Sequence, residues 1–193
     1  MDSIYGEHKQ KLKRMQDEIT ELIDSLRIKW KEELGEDPVE HSLSRIKSEE
    51  SMREKLRRKG LPEDTGHALF AVHDALGFRI VCAFVQDVYR VRDALLQREE
   101  YSLFEEKDYI KRAKPNGYRS LHLVLKHRDG YYVEFQLRTI SMDTWAALEH
   151  HLKYKKELGR NTDLIVAELK RCADELASTD LSLQTLRDTI REL

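Results

Sequence analysis

The sequence predicts an α/β fold (α+β in organisation), a mixed β-sheet of about five strands flanked by helices, with long helices at both ends. Three observations lead there. Leu12, Met15, Ile19, Leu22, Leu26 and Trp30 recur every three or four residues, the period of one helix face. The run FRIVCAF at 78–84 is β-branched and aromatic, which suits a buried strand. Two strand-like segments, YRSLHLVLKH and YYVEFQLRT, flank the turn residues Arg128, Asp129 and Gly130.

In chain order, the first helix spans about 4–33 and stops at Gly35 and Pro38. HSLSRIKS alternates as an edge strand does. Ser48 caps a helix over EESMREKLRRK, which ends at Gly60-Leu61-Pro62. Residues 67–76 read as helical, and Val88, Val91, Ala94 and Leu95 make the next helix amphipathic. Residues 101–111 are extended, and Lys114-Pro115-Asn116-Gly117 has the chemistry of a loop. After the hairpin, a helix carries Met142, Trp145, Leu148 and Leu152 and ends near Gly159. Two further apolar stripes follow on the terminal helices, Ile165/Leu169/Cys172/Leu176 and Leu183/Leu186/Ile190/Leu193. The chain thus divides into an N-terminal helix (1–36), a sheet-bearing domain (37–158) and a C-terminal helical segment (159–193).

With 40% hydrophobic and 36% charged residues, there is material for one core under a heavily solvated surface. Mean hydropathy is −0.67, and no apolar run approaches the roughly 18 residues a membrane span needs. MDSIYGEHKQKLKR has no apolar stretch resembling a signal peptide, so a cytoplasmic location is expected. Cys82 and Cys172 sit in apolar patterns and read as thiols of a reducing compartment. A net charge of −2 gives no global bias toward nucleic acid or membrane, so any anionic ligand must be held by a local basic cluster.

Such a cluster exists. Arg45 and Lys47 share a strand face, while Ser51, Lys55 and Arg58 share a face of the next helix, near its N-terminus. This suits a triphosphate. A solvated charge run looks the same, since Glu49, Glu50 and Glu54 share the helix, and the residues alone leave both readings open. Asp74 precedes the strand carrying Arg79, and Glu134 lies mid-strand in VEFQL. Two carboxylates from different elements suit Mg²⁺ on phosphates, although ordinary solvent-facing acids share the pattern.

The hairpin gives a sharper expectation. The polar residues fall at even positions in both strands, and only an odd-length connection pairs even with even. A three-residue loop with Gly130 left-handed at a bulge places His122 opposite Gln136 and Glu134 opposite Val124. Ser120, His122, Glu134, Gln136 and Arg138 then share one polar floor, while Leu121, Leu123, Leu125, Val133, Phe135 and Leu137 face the core.

Taken together, RIKSEESMREK at 45–55, DALGFRI at 74–80, EKDYIK at 106–111, KPNGYRSLH at 114–122, VEFQLRT at 133–139 and MDTWAALEH at 142–150 resemble the RelA/SpoT-type alarmone synthetases. The likeness runs over about 39–156 and is that of a stand-alone small alarmone synthetase with a nucleotidyltransferase-like synthetase domain. It implies transfer of the β,γ-pyrophosphate of ATP to the 3′-hydroxyl of GDP or GTP, releasing AMP, in the bacterial stringent response. By the same resemblance Arg45 and Arg79 would sandwich adenine, and Lys47, Ser51, Lys55 and Arg58 would hold the ATP phosphates. Asp74 and Glu134 would bind Mg²⁺, with Glu134 orienting or deprotonating the attacking hydroxyl. Tyr118 would stack on guanine, Lys107 and Lys114 would take its 5′-phosphates, and His122 and Gln136 would line the ribose and phosphate region. Asp143 could accept from N1–H and N2–H of guanine, a donor pair adenine lacks. The resemblance also implies a homotetramer assembled through the terminal helices.

Other signals are set aside. His73-Asp74 matches a dipeptide of metal phosphohydrolases without its further ligands, and His150-His151 lacks the spacing of a helical zinc pair. A toxin-like relative acting on tRNA or adenine nucleotides, and a catalytically silent nucleotide-binding module, are the competing readings. The modest charge speaks against tRNA, and the intact Asp74/Glu134 pair against silence.

Overall fold

The computed structural model describes residues 3–154 and 162–193. The chain runs α1 (His8–Leu34), β1 (Val39–Ile46), α2 (Glu49–Arg58), α3 (Thr65–Phe70), β2 (Leu76–Cys82), α4 (Val85–Leu96), β3 (Tyr101–Asp108), β4 (Leu121–His127), β5 (Tyr132–Thr139), α5 (Ile140–Tyr154) and α6 (Thr162–Arg191). The strands form one sheet in the order β1-β2-β5-β4-β3, antiparallel except for the central β2–β5 pair. The expected mixed five-stranded sheet with helical flanks is present, with β1 at its edge.

One face of the sheet is the core. Leu76, Phe78 and Ile80 of β2 join Leu121, Leu123 and Leu125 of β4 and Val133, Phe135 and Leu137 of β5, all buried. Leu12, Met15, Ile19 and Ile23 of α1, Met52 and Leu56 of α2, and Val88, Val91 and Leu95 of α4 belong to the same cluster. Each such side chain contributes about 1.5–3 kcal/mol by leaving water. The sheet's other face is left to polar residues, and that face carries the site.

The hairpin register is the expected one. The Gly130 N–H donates to the His127 carbonyl (2.8 Å), Gly130 has φ 91°, and the His127 N–H donates to the Tyr131 carbonyl (2.8 Å). His122 pairs with Gln136 and Val124 with Glu134. Ser120 departs from the expected floor, because it is fully buried with its hydroxyl donating to the Leu137 carbonyl.

Other differences have local causes. α1 starts at His8, not near residue 4, because Gly6 turns the chain at φ 49°. Ile4 and Tyr5 are thereby buried, and the Tyr5 hydroxyl donates to the Lys47 carbonyl (2.8 Å). α3 occupies Thr65–Phe70 rather than 67–76, since Asp64 caps it by accepting from the His67 N–H (2.9 Å) and His73 takes a left-handed φ of 57°. Asp74 therefore lies in a turn rather than closing a helix. Ser48 caps α2 as expected, accepting from the Ser51 N–H. Both apolar stripes of the tail, Leu193 aside, lie on a single helix, α6. The helix end near Gly159 and the division at 158/159 lie outside the described residues.

α6 has an inverted character along its second half. Its buried residues there are Asp180, Gln184 and Arg187, while Leu181, Leu183, Leu186 and Ile190 are exposed. Asp180 accepts from the Thr139 hydroxyl (2.6 Å), Gln184 from the Gln86 N–H (3.2 Å), and Asp87 from Arg187 (2.6 Å).

Candidate active site

Strand pairing lays the polar face out in transverse rows. One row runs Arg45, Gly77, Glu134, Val124, Glu105; the next runs Leu43, Arg79, Gln136, His122, Lys107. Gly77 stands beside Glu134 with no side chain, so a cleft opens above it. Arg45, Lys47, Asp74, Arg79, Glu134 and Gln136 line that cleft together with Leu43, Ser44, Gly77 and Phe78.

At one end of the cleft the turn before β2 presents Asp74. Its Oδ2 accepts from Lys47 (2.9 Å) and Lys55 (2.5 Å), so the strand cation and the helix cation meet on one carboxylate. Its Oδ1 is buried and has no partner. An orphaned carboxylate oxygen in a cleft that a second carboxylate, Glu134, also lines has the chemistry of a hard-cation ligand. Among the described residues no cluster of three or more His, Cys, Asp or Glu could hold a metal. Any ion here would take its remaining ligands from phosphate and water, as Mg²⁺ does.

Glu134 sits mid-floor. Its Oε1 lies 3.7 Å from His122 Nδ1, and its Oε2 accepts from Gln136 Nε2 at 3.4 Å. Burial raises the Glu134 carboxyl, but the His122 ring, the Lys55 ammonium and the Gln136 amide outweigh it and hold the group below the ordinary glutamate value. Glu134 is therefore an anion at neutral pH.

Beyond Glu134 the floor continues into a hydrogen-bonded network. Arg138, only 4% exposed, donates to Asp143 (2.9 Å), the Tyr118 hydroxyl (2.8 Å) and Gln136 Oε1 (3.0 Å). The Tyr118 hydroxyl lies 2.8 Å from His122 Nε2. Arg79 is 3.5 Å from Asp143, and burial together with neighbouring Arg138 lowers its pKa. Arg45, Lys47, Lys55, Arg79 and Arg138 outnumber Asp74, Glu134 and Asp143, so the cleft favours anions although the chain as a whole is acidic.

Tyr118 is held by a tight loop. The Gly117 N–H donates to the Lys114 carbonyl (2.8 Å), and the Tyr118 N–H donates to Asn116 Oδ1 (3.2 Å). Gly117 takes φ 91°, and a Cβ there would sit 2.6 Å from Ala173 Cβ and 3.1 Å from Lys170 Cα on α6. The loop therefore rests directly on that helix. The Lys114 ammonium lies over the rings of Tyr109 (4.6 Å) and Tyr118 (4.9 Å).

Of the residues singled out from sequence, Lys47, Lys55 and Asp74 meet directly, as do Tyr118, His122, Glu134, Gln136 and Asp143 through the network. Arg45 and Arg79 lie diagonally across two paired strands on the cleft wall. Lys107 is at the far edge, paired with Glu105 (2.7 Å). Ser51 bonds Ser48 (2.9 Å), and Arg58 lies exposed on α2 outside the cleft lining. Arg138, expected on the polar floor, also ties Tyr118, Gln136 and Asp143 together, a task its local sequence does not signal. Its place on the floor was signalled by its even position in β5, in step with Glu134 and Gln136.

Comparison with known proteins gives concordant results. A family model described as the region found in RelA / SpoT proteins matches residues 44–159. GTP pyrophosphokinase YwaC of Bacillus subtilis is 43% identical over 150 residues, covering 72% of this chain and 70% of that protein. GTP pyrophosphokinase YjbM of the same organism is 31% identical over 183 residues, covering 91% and 85%. The crystal structure of small alarmone synthetase 1 from Bacillus subtilis bound to its product pppGpp superposes with a TM-score of 0.81 at 29% identity, over 93% and 94% of the two chains.

Proposed function

The chain belongs to the RelA/SpoT family, and on that premise we propose that it is a small alarmone synthetase, a GTP diphosphokinase making (p)ppGpp. It transfers the β,γ-pyrophosphate of ATP to the 3′-hydroxyl of GDP or GTP. A new bond forms between the 3′-oxygen and Pβ, the Pβ–O bridge to Pα breaks, and AMP leaves. The observation that carries this is the meeting of Asp74, with its orphaned oxygen, and anionic Glu134 in one cleft ringed by cations.

Arg45 and Arg79 flank the adenine, as planar guanidinium groups suit. Lys47 and Lys55 take the ATP phosphates, while Ser51 and Arg58, outside the cleft lining, would reach them only from the α2 side. Lys47 and Lys55, which meet on Asp74, are the cations nearest that carboxylate. Asp74 and Glu134 would hold Mg²⁺, which would supply charge neutralisation to the phosphates. Glu134 orients the 3′-hydroxyl and receives its proton. Tyr118 stacks the guanine, Lys107 and Lys114 hold its 5′-phosphates, His122 and Gln136 line the ribose, and Asp143 reads the guanine edge. In-line positioning and charge neutralisation dominate such transfers, which matches a cleft built from cations rather than nucleophiles.

The same proposal places the enzyme in the cytoplasm as a homotetramer. In support of the assembly, Leu183, Leu186 and Ile190 stand exposed along α6.

Purified protein incubated with ATP labelled in its terminal phosphates plus GDP, GTP, AMP or tRNA tests the assignment. Labelled (p)ppGpp from the guanine nucleotides alone is expected, and Glu134→Gln should lose roughly 10²–10⁴-fold in rate. Label on AMP or tRNA, or equal rates for the two proteins, would overturn it.

A further inference from the structure

We infer that Arg138 is a positioning residue that sets the direction of two hydrogen-bonded relays, so that both deliver N–H groups toward the carboxylate oxygens of Glu134. The inference rests on the proposed synthetase reading and assigns a task that reading leaves open, namely what orients its central carboxylate.

The argument starts from donor inventory. A guanidinium has N–H donors and no acceptor. Arg138 is buried; its Nη2 donates to Tyr118 Oη (2.8 Å) and Gln136 Oε1 (3.0 Å) and its Nη1 to Asp143 (2.9 Å), while its Nε has no partner. Because Tyr118 Oη accepts from Arg138, its own proton is free to go onward, and its neighbour is His122 Nε2 at 2.8 Å. In the relay inferred, that proton goes to Nε2, which accepts it. A neutral imidazole with an accepting Nε2 carries its proton on Nδ1, the nitrogen 3.7 Å from Glu134 Oε1. The second relay obeys the same logic. Because Gln136 Oε1 accepts from Arg138, the amide's NH₂ end must face the other way, and it lies 3.4 Å from Glu134 Oε2. Both Glu134 oxygens thus face donors, although neither donor touches Arg138.

Asp143 completes the frame. It accepts from Arg138 (2.9 Å) and reaches Arg79 at 3.5 Å. The guanidinium is thereby locked against rotation that would scramble the relays. Tyr118, the residue proposed to stack the acceptor base, is a link in one relay. Seating of that base and orientation of Glu134 are therefore mechanically joined.

The test reads tautomer and rate together. In protein labelled with heavy nitrogen at histidine, wild-type His122 in alkaline buffer should show the Nδ1–H tautomer. Tyr118→Phe, which removes one hydroxyl and keeps the ring, should lose that preference. Arg138→Met should lose it too, with kcat falling roughly 10- to 100-fold, as for partners that orient metal-binding ligands, while KM for ATP holds. Arg138→Lys retains a donor-only head and should restore the tautomer in part. A wild-type Nε2–H tautomer, or an unchanged tautomer in Tyr118→Phe, would overturn the inference whether or not Arg138→Met folds. A wild type with the expected tautomer but no alarmone product would overturn the proposed function and leave the relays standing.

Discussion

Replacing Gly117 by alanine tests whether α6 is the seat of the acceptor loop. Two costs arise together. A side chain at φ 91° is strained, by about 1–2 kcal/mol for left-handed backbone. The new Cβ would also lie 2.6 Å from Ala173 Cβ and 3.1 Å from Lys170 Cα, the latter on helix backbone that cannot rotate away. Overpacking of this kind costs about 1–3 kcal/mol, so Gly117→Ala should lose roughly 2–5 kcal/mol in urea unfolding. KM for the guanine nucleotide should rise, since Tyr118 follows directly. Adding Ala173→Gly removes the nearest contact, at about 1 kcal/mol of helix propensity, and leaves both the backbone strain and Lys170. A double-mutant cycle should therefore show favourable coupling of roughly 1 kcal/mol or more. Gly117→Ala within about 0.5 kcal/mol of wild type, with no coupling to Ala173→Gly, would refute the reasoning.

Arg187→Met should destabilise by about 3 kcal/mol, because Asp87 stays buried with only Arg90 (2.6 Å) to answer it, and calorimetry would read the loss. Asp108→Asn should cost about 1–3 kcal/mol at neutral pH, since Asp108 accepts from the Ile110 and Lys111 N–H groups and the Tyr89 hydroxyl. Burial raises the Asp108 carboxyl, but those donors outweigh it and hold the group below the ordinary aspartate value. Its contribution is thus complete above about pH 4 and is lost as pH falls through the lower folded value. The gap between wild type and Asp108→Asn in thermal melts should accordingly narrow in acid. Leu186→Glu with Ile190→Glu places charges on the exposed apolar face of α6 and should lower the assembly state seen by light scattering, without loss of helix content.

How much of this was legible in the sequence depended on whether local rules decided the outcome. The hairpin was readable because side-chain period and turn length admit only one register, and the place of Glu134 on the polar floor followed from that alone. The Ser48 cap was readable because its partner is three residues away. α3 was not, because its end is set by His73 entering a left-handed conformation, which apolar periodicity does not signal. α6 was legible only in part. Leu183, Leu186 and Ile190 have the look of a packing stripe, yet the chain docks this helix by Asp180, Gln184 and Arg187. Their partners Thr139, Gln86 and Asp87 are remote in sequence, so no spacing rule could pair them. Arg138 stayed without a task for the same reason, since its meaning lies in what Tyr118 and Asp143 bring to it.

The parallel pairing of β2 with β5 has a consequence for how the protein fails. Asp74 and Glu134 depend on the one strand pair that no hairpin can form, because the crossover between them includes α4, β3 and β4. Such long-range closure comes late in folding, and a centrally placed pair is among the last to open. The edge strands are different: β1 carries Arg45 and β3 carries Lys107, and edges fray at lower free energy than centres. Under gradual heating or denaturant the molecule should therefore lose its grip on nucleotides before it loses its carboxylate centre. Affinity would erode progressively, whereas catalytic competence would vanish in one cooperative step with the sheet itself.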